Sequence, residues 1–345
     1  MLQKIKYSIK LSIAYILYYS GLIYLARYFI LKNKTVVLMY HRVLSEHERL
    51  DSFSHDGIIV STRSFEQQIR FLKRNFHVLN AETFRQQFVH KKAPNKYQCL
   101  ITFDDGWSDN YRNAYPILKS NHAAAVIFLP LDYIDQNNNF WQEKLGYLVH
   151  QLIIHKQASA DYANTDPKFA ELLHLPQQEL KPAIKMYVNS KKSLSPQALM
   201  SLIEDLISLL NKHNVVLKNN QTDTYLTWAQ ISEMAMHNIS FQSHAVSHHV
   251  LTRLTPDVLK SELIDSKTTI ADKLQNDVFS IAYPNGNVDE QVAQEANNTG
   301  YQLGFTTQPG YANSQTELLS IPRINIHNDM TKNIPMFYCR LLGIL

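Results

Sequence analysis

Residues 100–107 read Leu100-Ile101-Thr102-Phe103-Asp104-Asp105-Gly106-Trp107, an apolar run that ends in two adjacent carboxylates and a glycine. A buried strand that stops in this way delivers acid groups to a cleft at its C-terminal end, and the glycine permits a sharp turn. Adjacent side chains on an extended segment diverge, so Asp104 and Asp105 can do different jobs, one holding a metal and one taking a proton. The competing reading is an Asp-Asp-Gly surface turn. A second cluster, His244-Ala245-Val246-Ser247-His248, follows another apolar run and changes the balance. If that segment turns helically, the two imidazoles meet at one point. Two neutral nitrogens and one carboxylate form a metal site with open positions for water and substrate, and the remaining aspartate is free to act as a base.

Outward from these clusters the chain alternates buried strands with amphipathic helices. Strands are expected over 35–40, 76–79, 97–103, 124–129, 239–242 and 278–283, with the last two at 304–307 and 320–326. Helices are expected behind a capping box at Ser64-Phe65-Glu66-Gln67, over 81–89 and 109–120, and after Thr227 with Gln230. Two more start at Thr255-Pro256 and at Asn287 with Glu290, the latter stopped by Gly300. This pattern predicts a parallel α/β sheet or barrel with its site at the C-terminal ends of the strands. Between about 137 and 225 the alternation gives way to a helical insertion. There Trp141, Leu145, Leu148 and Leu152 form one stripe, and Ser195-Pro196 opens a second helix.

The chain has 345 residues, 45% apolar and 19% charged, with a formal net charge of +4. That is enough to bury one large core, and no dense basic run with interleaved aromatics points to nucleic acid. The two cysteines, Cys99 and Cys339, build no disulfide framework and no metal spacing. The amino terminus is set apart as a segment over 1–34. Lys4, Lys6 and Lys10 precede an apolar, tyrosine-rich run from Leu11 to Ala26, with Arg27, Lys32 and Lys34 beyond it. A signal anchor, a helix lying in the membrane interface and a buried helix of the fold all fit this run. Membrane association at the cell envelope is the expectation, with a cytoplasmic location as the alternative.

Thr102-Phe103-Asp104-Asp105-Gly106 resembles the first motif of the polysaccharide deacetylase family, the metal-dependent carbohydrate de-N-acetylases. His244-Ala245-Val246-Ser247-His248 followed by Leu251 resembles the second, and Tyr283-Pro284-Asn285-Gly286 the third. Met39-Tyr40-His41-Arg42-Val43 is similar to the opening strand of many members. The resemblance spans 36–326 and implies a distorted, seven-stranded (β/α) barrel over 35–345 that carries the insertion. It implies Asp104 as the general base and Asp105, His244 and His248 as ligands of a divalent metal, zinc first among the candidates. The Asn285 backbone amide would help hold the oxyanion, and His41, Trp107 and Tyr283 are the candidate substrate contacts.

Two departures stand out. The third-motif arginine that orients the base is replaced by Ala282, and Arg323, at the end of an expected strand, is the substitute. A direct contact between Arg323 and Asp104 is therefore expected. The catalytic-acid histidine of the last motif has no clear match, and His327 is the candidate. The implied activity is removal of N-acetyl groups from an N-acetylated polysaccharide or its lipid-linked precursor. A catalytically silent sugar-binding or assembly protein of the same fold is the alternative from another class, and an O-acetyl esterase is the nearer one.

Overall fold

In the computed structural model, residues 2–94, 96–136, 138–217 and 222–345 are described. The strands are β1 (Thr35–Tyr40), β2 (Arg42–Leu44), β3 (Ile59–Ser61), β4 (His77–Leu79), β5 (Gln98–Phe103) and β6 (Ala125–Leu129). After a long helical interval come β7 (Ile239–Ser243), β8 (Ser280–Ala282), β9 (Leu303–Phe305) and β10 (Ile324–Asn325). The main sheet runs β10-β1-β5-β6-β7-β8-β9, parallel throughout, with β4 branching from the first half of β5. Its two edges are joined by one short segment. Ile321 bridges Phe305 in β9, and Ile324 pairs with Leu38 in β1. The result is the expected distorted barrel of seven strands.

Every residue of β1, β5 and β6 is buried, as expected of parallel strands covered on both faces. Alternation sends Val36, Leu38 and Tyr40 into one core and Val37 into another. In the first core Tyr40 lies against Phe65 and Phe103, with ring centroids 5.3 and 5.4 Å away. Cys99 and Cys339 are buried free thiols.

Several helix starts differ from the sequence expectation. The helix Thr62–Asn75 is capped by Ser61, whose side chain accepts from the Ser64 amide, so Ser64 lies inside the first turn instead of starting it. Asp289, not Asn287, caps Glu290–Asn298. In each case another residue with an equally good side-chain acceptor stands immediately before the first helical residue. The Thr227–Gln230 capping box is present as expected. Residues 110–114 form a π-type turn, which lets Pro116 enter the first turn of the helix Tyr115–Ser120, where its missing N–H costs nothing.

The chain divides into two compact units. The barrel unit comprises Met1–Glu46, Asp56–Gln136 and Tyr225–Leu345, and the second comprises His47–His55 and Asn137–Thr224. The second unit is helical, as expected, and it recruits a segment that sequence reading left in the barrel. Its core gathers Leu145, Leu148 and Leu152 with Phe169, Ile184, Leu206 and Leu210. Phe53 packs so closely on Gly146 that a Cβ there would lie 2.8 Å from it. Asp223 ties the two segments together by accepting from the Ser52 hydroxyl at 2.7 Å and the Phe53 amide at 3.1 Å. Residues 137 and 218–221, at the ends of the expected insertion, lie outside the described residues.

At the amino terminus, α1 (Leu2–Tyr19) and α2 (Leu22–Ile30) meet at Gly21, whose φ of +79° turns the chain sharply. Among the described residues no single helix is long and apolar enough to cross a membrane, and Lys6–Tyr19 and Leu22–Ile30 pass that test only as a pair bent by 91°. One face of the pair belongs to the barrel core: Ala14, Ile23 and Leu31 are buried in it. Tyr18 and Tyr24 pack edge-on against Tyr338, and the Arg27 guanidinium lies over the Tyr97 ring at 4.2 Å. Placing a charge at Ile23 should therefore destabilise the barrel. Ile23→Asp is expected to cost about 3 kcal/mol or more, read as a lower denaturation midpoint. A variant as stable as the parent would show that the helix pair does not pack on the barrel.

Candidate metal centre and active site

All of the motif residues lie at the C-terminal ends of the parallel strands. Asp104 is the first residue beyond β5, and its amide donates to the Tyr40 carbonyl at 3.0 Å, so it still belongs to the extended run. Asp105 and Gly106 then take left-handed conformations, with φ of +74° and +62°. The two carboxylates diverge because of this turn, not because of strand pleating. A left-handed aspartate is strained, and strain of this kind collects where a side chain must be aimed.

His244 and His248 converge on the Asp105 carboxylate. Their Nε2 atoms lie 3.4 and 3.2 Å from Asp105 Oδ1. The helical turn expected between them is not there. Ala245 and His248 have φ of +64° and +59°, and it is this loop, pinned from outside, that brings the rings together. The pin is Glu262, buried on the helix Pro256–Leu274. Its Oε2 accepts from the amides of Val246 at 2.7 Å and Ser247 at 3.0 Å, and its Oε1 accepts from the Ser247 hydroxyl. Sequence reading missed Glu262. The available signal was a carboxylate standing beside Leu263 in an otherwise apolar stripe.

The donor set suits a metal ion. Among the described residues, Asp105, His244 and His248 each offer one ligand atom, and the three atoms lie within 4.8 Å of one another. His244 Nδ1 is 2.6 Å from the Ala282 carbonyl, which accepts its proton and leaves Nε2 bare as a ligand. Asp105 Oδ2 accepts from Trp107 Nε1 at 3.0 Å, which leaves Oδ1 facing the histidines. Burial favours protonation of Asp105, but His244 and His248, which donate to it when they carry a proton on Nε2 in place of a metal, outweigh it and hold the carboxyl well below its usual range.

Asp104 is held by Arg323. NH1 and NH2 each lie 2.7 Å from one carboxylate oxygen, a two-pronged contact that is fully buried on the arginine side. The expected Arg323–Asp104 contact is thus present, although Arg323 precedes its strand instead of ending it. The guanidinium is fixed further by Nε donating to the Thr306 carbonyl at 2.9 Å and NH1 to the Thr102 hydroxyl at 3.2 Å. Burial raises the Asp104 pKa, but the Arg323 charge, then His244, more than offset it, so the carboxyl stays ionised below its usual range.

His41 shares the mouth, with Nε2 4.0 Å from Asp104 Oδ2. His327 leaves the neighbouring strand end, two residues beyond the Met39–Asn325 pair as His41 is, and its Nδ1 is 3.9 Å from Asp329. Asn285 follows β8 in a left-handed turn, and a Cβ on Gly286 would lie 2.5 Å from the Thr307 amide, so only glycine fits beside it.

Two expected substrate contacts are corrected. Trp107 has no exposed surface; it stacks between the Arg42 guanidinium at 4.0 Å and the Tyr225 ring at 4.6 Å. Tyr283 is equally buried, its hydroxyl donating to the Leu319 carbonyl at 3.0 Å. Neither side chain can touch a glycan. In the sequence Arg42 stands only as part of the opening-strand motif, with no role of its own. It pairs with Asp109 at 2.9 Å in full burial and so locks the stack that steadies Trp107.

The profile of the polysaccharide deacetylase family matches residues 91–163 and 200–304, half of the chain. YxkH of Bacillus subtilis, which bears that family's name, is 25% identical over 299 residues, covering 86% of this chain and 73% of its own. The poly-beta-1,6-N-acetyl-D-glucosamine N-deacetylase of Staphylococcus epidermidis is 32% identical over 117 residues, covering 31% of this chain and 39% of its own. Among solved structures, the deacetylase PplD of Streptococcus pyogenes, determined with acetate, superposes with a TM-score of 0.56 at 24% identity, covering 86% of this chain and 94% of its own. A seven-stranded barrel that presents an aspartate pair and two histidines at one mouth, together with these matches, places the chain in the polysaccharide deacetylase family.

Proposed function

We propose that this chain is a metal-dependent hydrolase that removes N-acetyl groups from an N-acetylated polysaccharide at the cell-envelope membrane. The observation that carries the reading is the pairing of two carboxylates with separate partners: Asp105 with the two histidines, and Asp104 with Arg323. A silent sugar-binding protein has no chemical use for that separation. Zinc suits two imidazoles and one carboxylate with open positions best, and it supplies a Lewis acid that lowers the pKa of water and polarises the acyl oxygen. The polymer named for the staphylococcal relative, poly-β-1,6-N-acetylglucosamine, is the first substrate to try.

The protein's own groups have distinct tasks in this reading. Asp104, kept ionised and oriented by Arg323, takes a proton from the attacking water, since each oxygen keeps a lone pair beyond its bond to the arginine. The Asn285 amide donates to the oxyanion at the mouth. His41 protonates the departing amine and so takes the role that the sequence assigned to His327, because it is His41 that stands against Asp104.

Three sets of variants test this. His244→Ala and His248→Ala should each lose bound metal, measured by elemental analysis, because three protein ligands leave no spare. Asp104→Asn should retain the metal and lose about two orders of magnitude or more in acetate release. Full occupancy in either histidine variant, or unchanged turnover in the asparagine variant, would contradict the assignment. Acetate released from ester but not amide substrates would replace the de-N-acetylase by an esterase.

Trp107→Phe keeps an aromatic ring in the stack and removes the hydrogen bond to Asp105, leaving a small cavity. It should weaken metal binding by about tenfold or more while folding normally. Unchanged affinity would confine Trp107 to packing.

Arg323→Gln bears on the base. Arg323 depresses the Asp104 pKa, so its removal should raise that pKa. The acid-side fall in activity, which occurs as Asp104 is protonated, should then move to higher pH, with a lower kcat above it. A pH profile with an unmoved acid limb would show that Arg323 does not tune the base.

A further inference from the structure

The amino-terminal helices turn a second apolar face away from the barrel. Of the twenty exposed large apolar side chains among the described residues, eleven lie between Tyr7 and Phe29. On α1, Ile9, Ile13 and Ile16 fall at helical spacing on this face, and on α2 Leu22, Leu25 and Phe29 do the same. Single exposed apolar residues need no explanation, but a contiguous set on two joined helices does. The flanking charge is all of one sign, with no acidic residue before Glu46 and six lysines or arginines in that stretch up to Lys34.

Where α2 runs into β1 there is a groove of about 640 Å³, lined in part by Tyr28, Lys32, Arg74, Lys96 and Tyr97. Among the described residues that line it, the three strong cations are exposed and none is a carboxylate. It therefore combines uncompensated positive charge with an aromatic rim, directly beside the exposed face of α2. A phosphate diester joined to acyl chains matches both features at once, the charge in the groove and the chains along the helix.

We propose that α1 and α2 lie in the interface of an anionic phospholipid bilayer, with a lipid phosphate seated between Lys32, Arg74 and Lys96. This rests on the membrane association put forward above and adds the lipid class, the binding groove and an orientation. The groove sits where β1, β4 and β5 begin, whereas Asp104 and Asp105 lie beyond the far end of β5. Six residues of strand separate the two ends by about 20 Å. The mouth thus faces water, and the substrate it meets is a glycan chain standing clear of the headgroups, not a sugar linked to lipid at the headgroup plane.

Co-sedimentation of the full-length protein with vesicles tests the groove. The protein should pellet with phosphatidylcholine vesicles containing phosphatidylglycerol, and much less with phosphatidylcholine alone. The triple variant Lys32→Gln, Arg74→Gln, Lys96→Gln should bind the anionic vesicles more weakly by on the order of 100-fold, at roughly fivefold per cation. It should release acetate from a soluble glycan at the parental rate, which shows that the barrel is intact. The charge-keeping variant Lys32→Arg, Lys96→Arg should bind like the parent. Equal binding to both kinds of vesicle by parent and triple variant would overturn the anionic groove while leaving membrane association standing. Binding to neither kind would overturn both, and neither result bears on the deacetylase reading, which acetate release tests separately.

Discussion

The buried pair between Arg323 and Asp104 is the constraint on which the rest of the site depends. An ionised carboxylate without exposure to water costs several kcal/mol unless it is fully paired, and a lone arginine in a barrel interior costs as much. Neither residue could be buried without the other. Their two parallel contacts at 2.7 Å also join distant parts of the chain: Asp104 ends the central strand, and Arg323 comes from the segment that connects the sheet's two edges. Closing the barrel and burying the charged Asp104 are therefore one event. A lysine could supply the charge but not the two fixed directions, so the geometry that orients Asp104 needs the planar group.

The second carboxylate follows an opposite logic. Asp105 faces two imidazole nitrogens on Oδ1, each able to give a lone pair to a cation, while its Oδ2 accepts from the Trp107 indole N–H. Each is steadied from behind, His244 by the Ala282 carbonyl, the His248 loop by Glu262, and Trp107 by Arg42 and Tyr225. This explains how Ala282 can stand where the family carries an arginine. Its backbone still orients His244, a candidate metal ligand, while the missing guanidinium comes from Arg323.

Much of this was legible in the sequence because it rests on local rules. Buried parallel strands read as unbroken apolar runs, and Asp104, Asp105 and His244 follow those runs directly, so β1, β5, β6 and β7 and their terminal residues could be found by eye. What could not be read was set by long-range contact. Trp107 and Tyr283 stand beside motif residues, and an aromatic near a sugar site invites assignment to the substrate. Only packing shows that both rings point inward. The left-handed residues at Asp105, Ala245 and His248 are similarly silent, since none is glycine and the strain is imposed by Glu262 and the neighbouring strands. β10 is only two residues long where a strand was expected over 320–326, and so the position of Arg323 relative to its strand was misjudged.

The amino terminus shows why hydropathy alone could not choose among its three readings. A spanning helix, an interfacial helix and a core helix are each apolar, and they differ only in how many sides are. Here Gly21 bends the run, which removes the straight length a span needs. Of the two sides left, one is spent on the barrel, where Ile23 meets the core and Tyr24 meets Tyr338. A helix serving only the fold would then be polar on its other side, as the helix Thr62–Asn75 is, where exposed Arg70 pairs with exposed Glu66. α2 instead repeats leucine and aromatic residues there, at a cost in solubility that the fold itself does not require. The outward face is therefore the part of the run that packing leaves unexplained, and it is the face on which the proposed lipid contact rests.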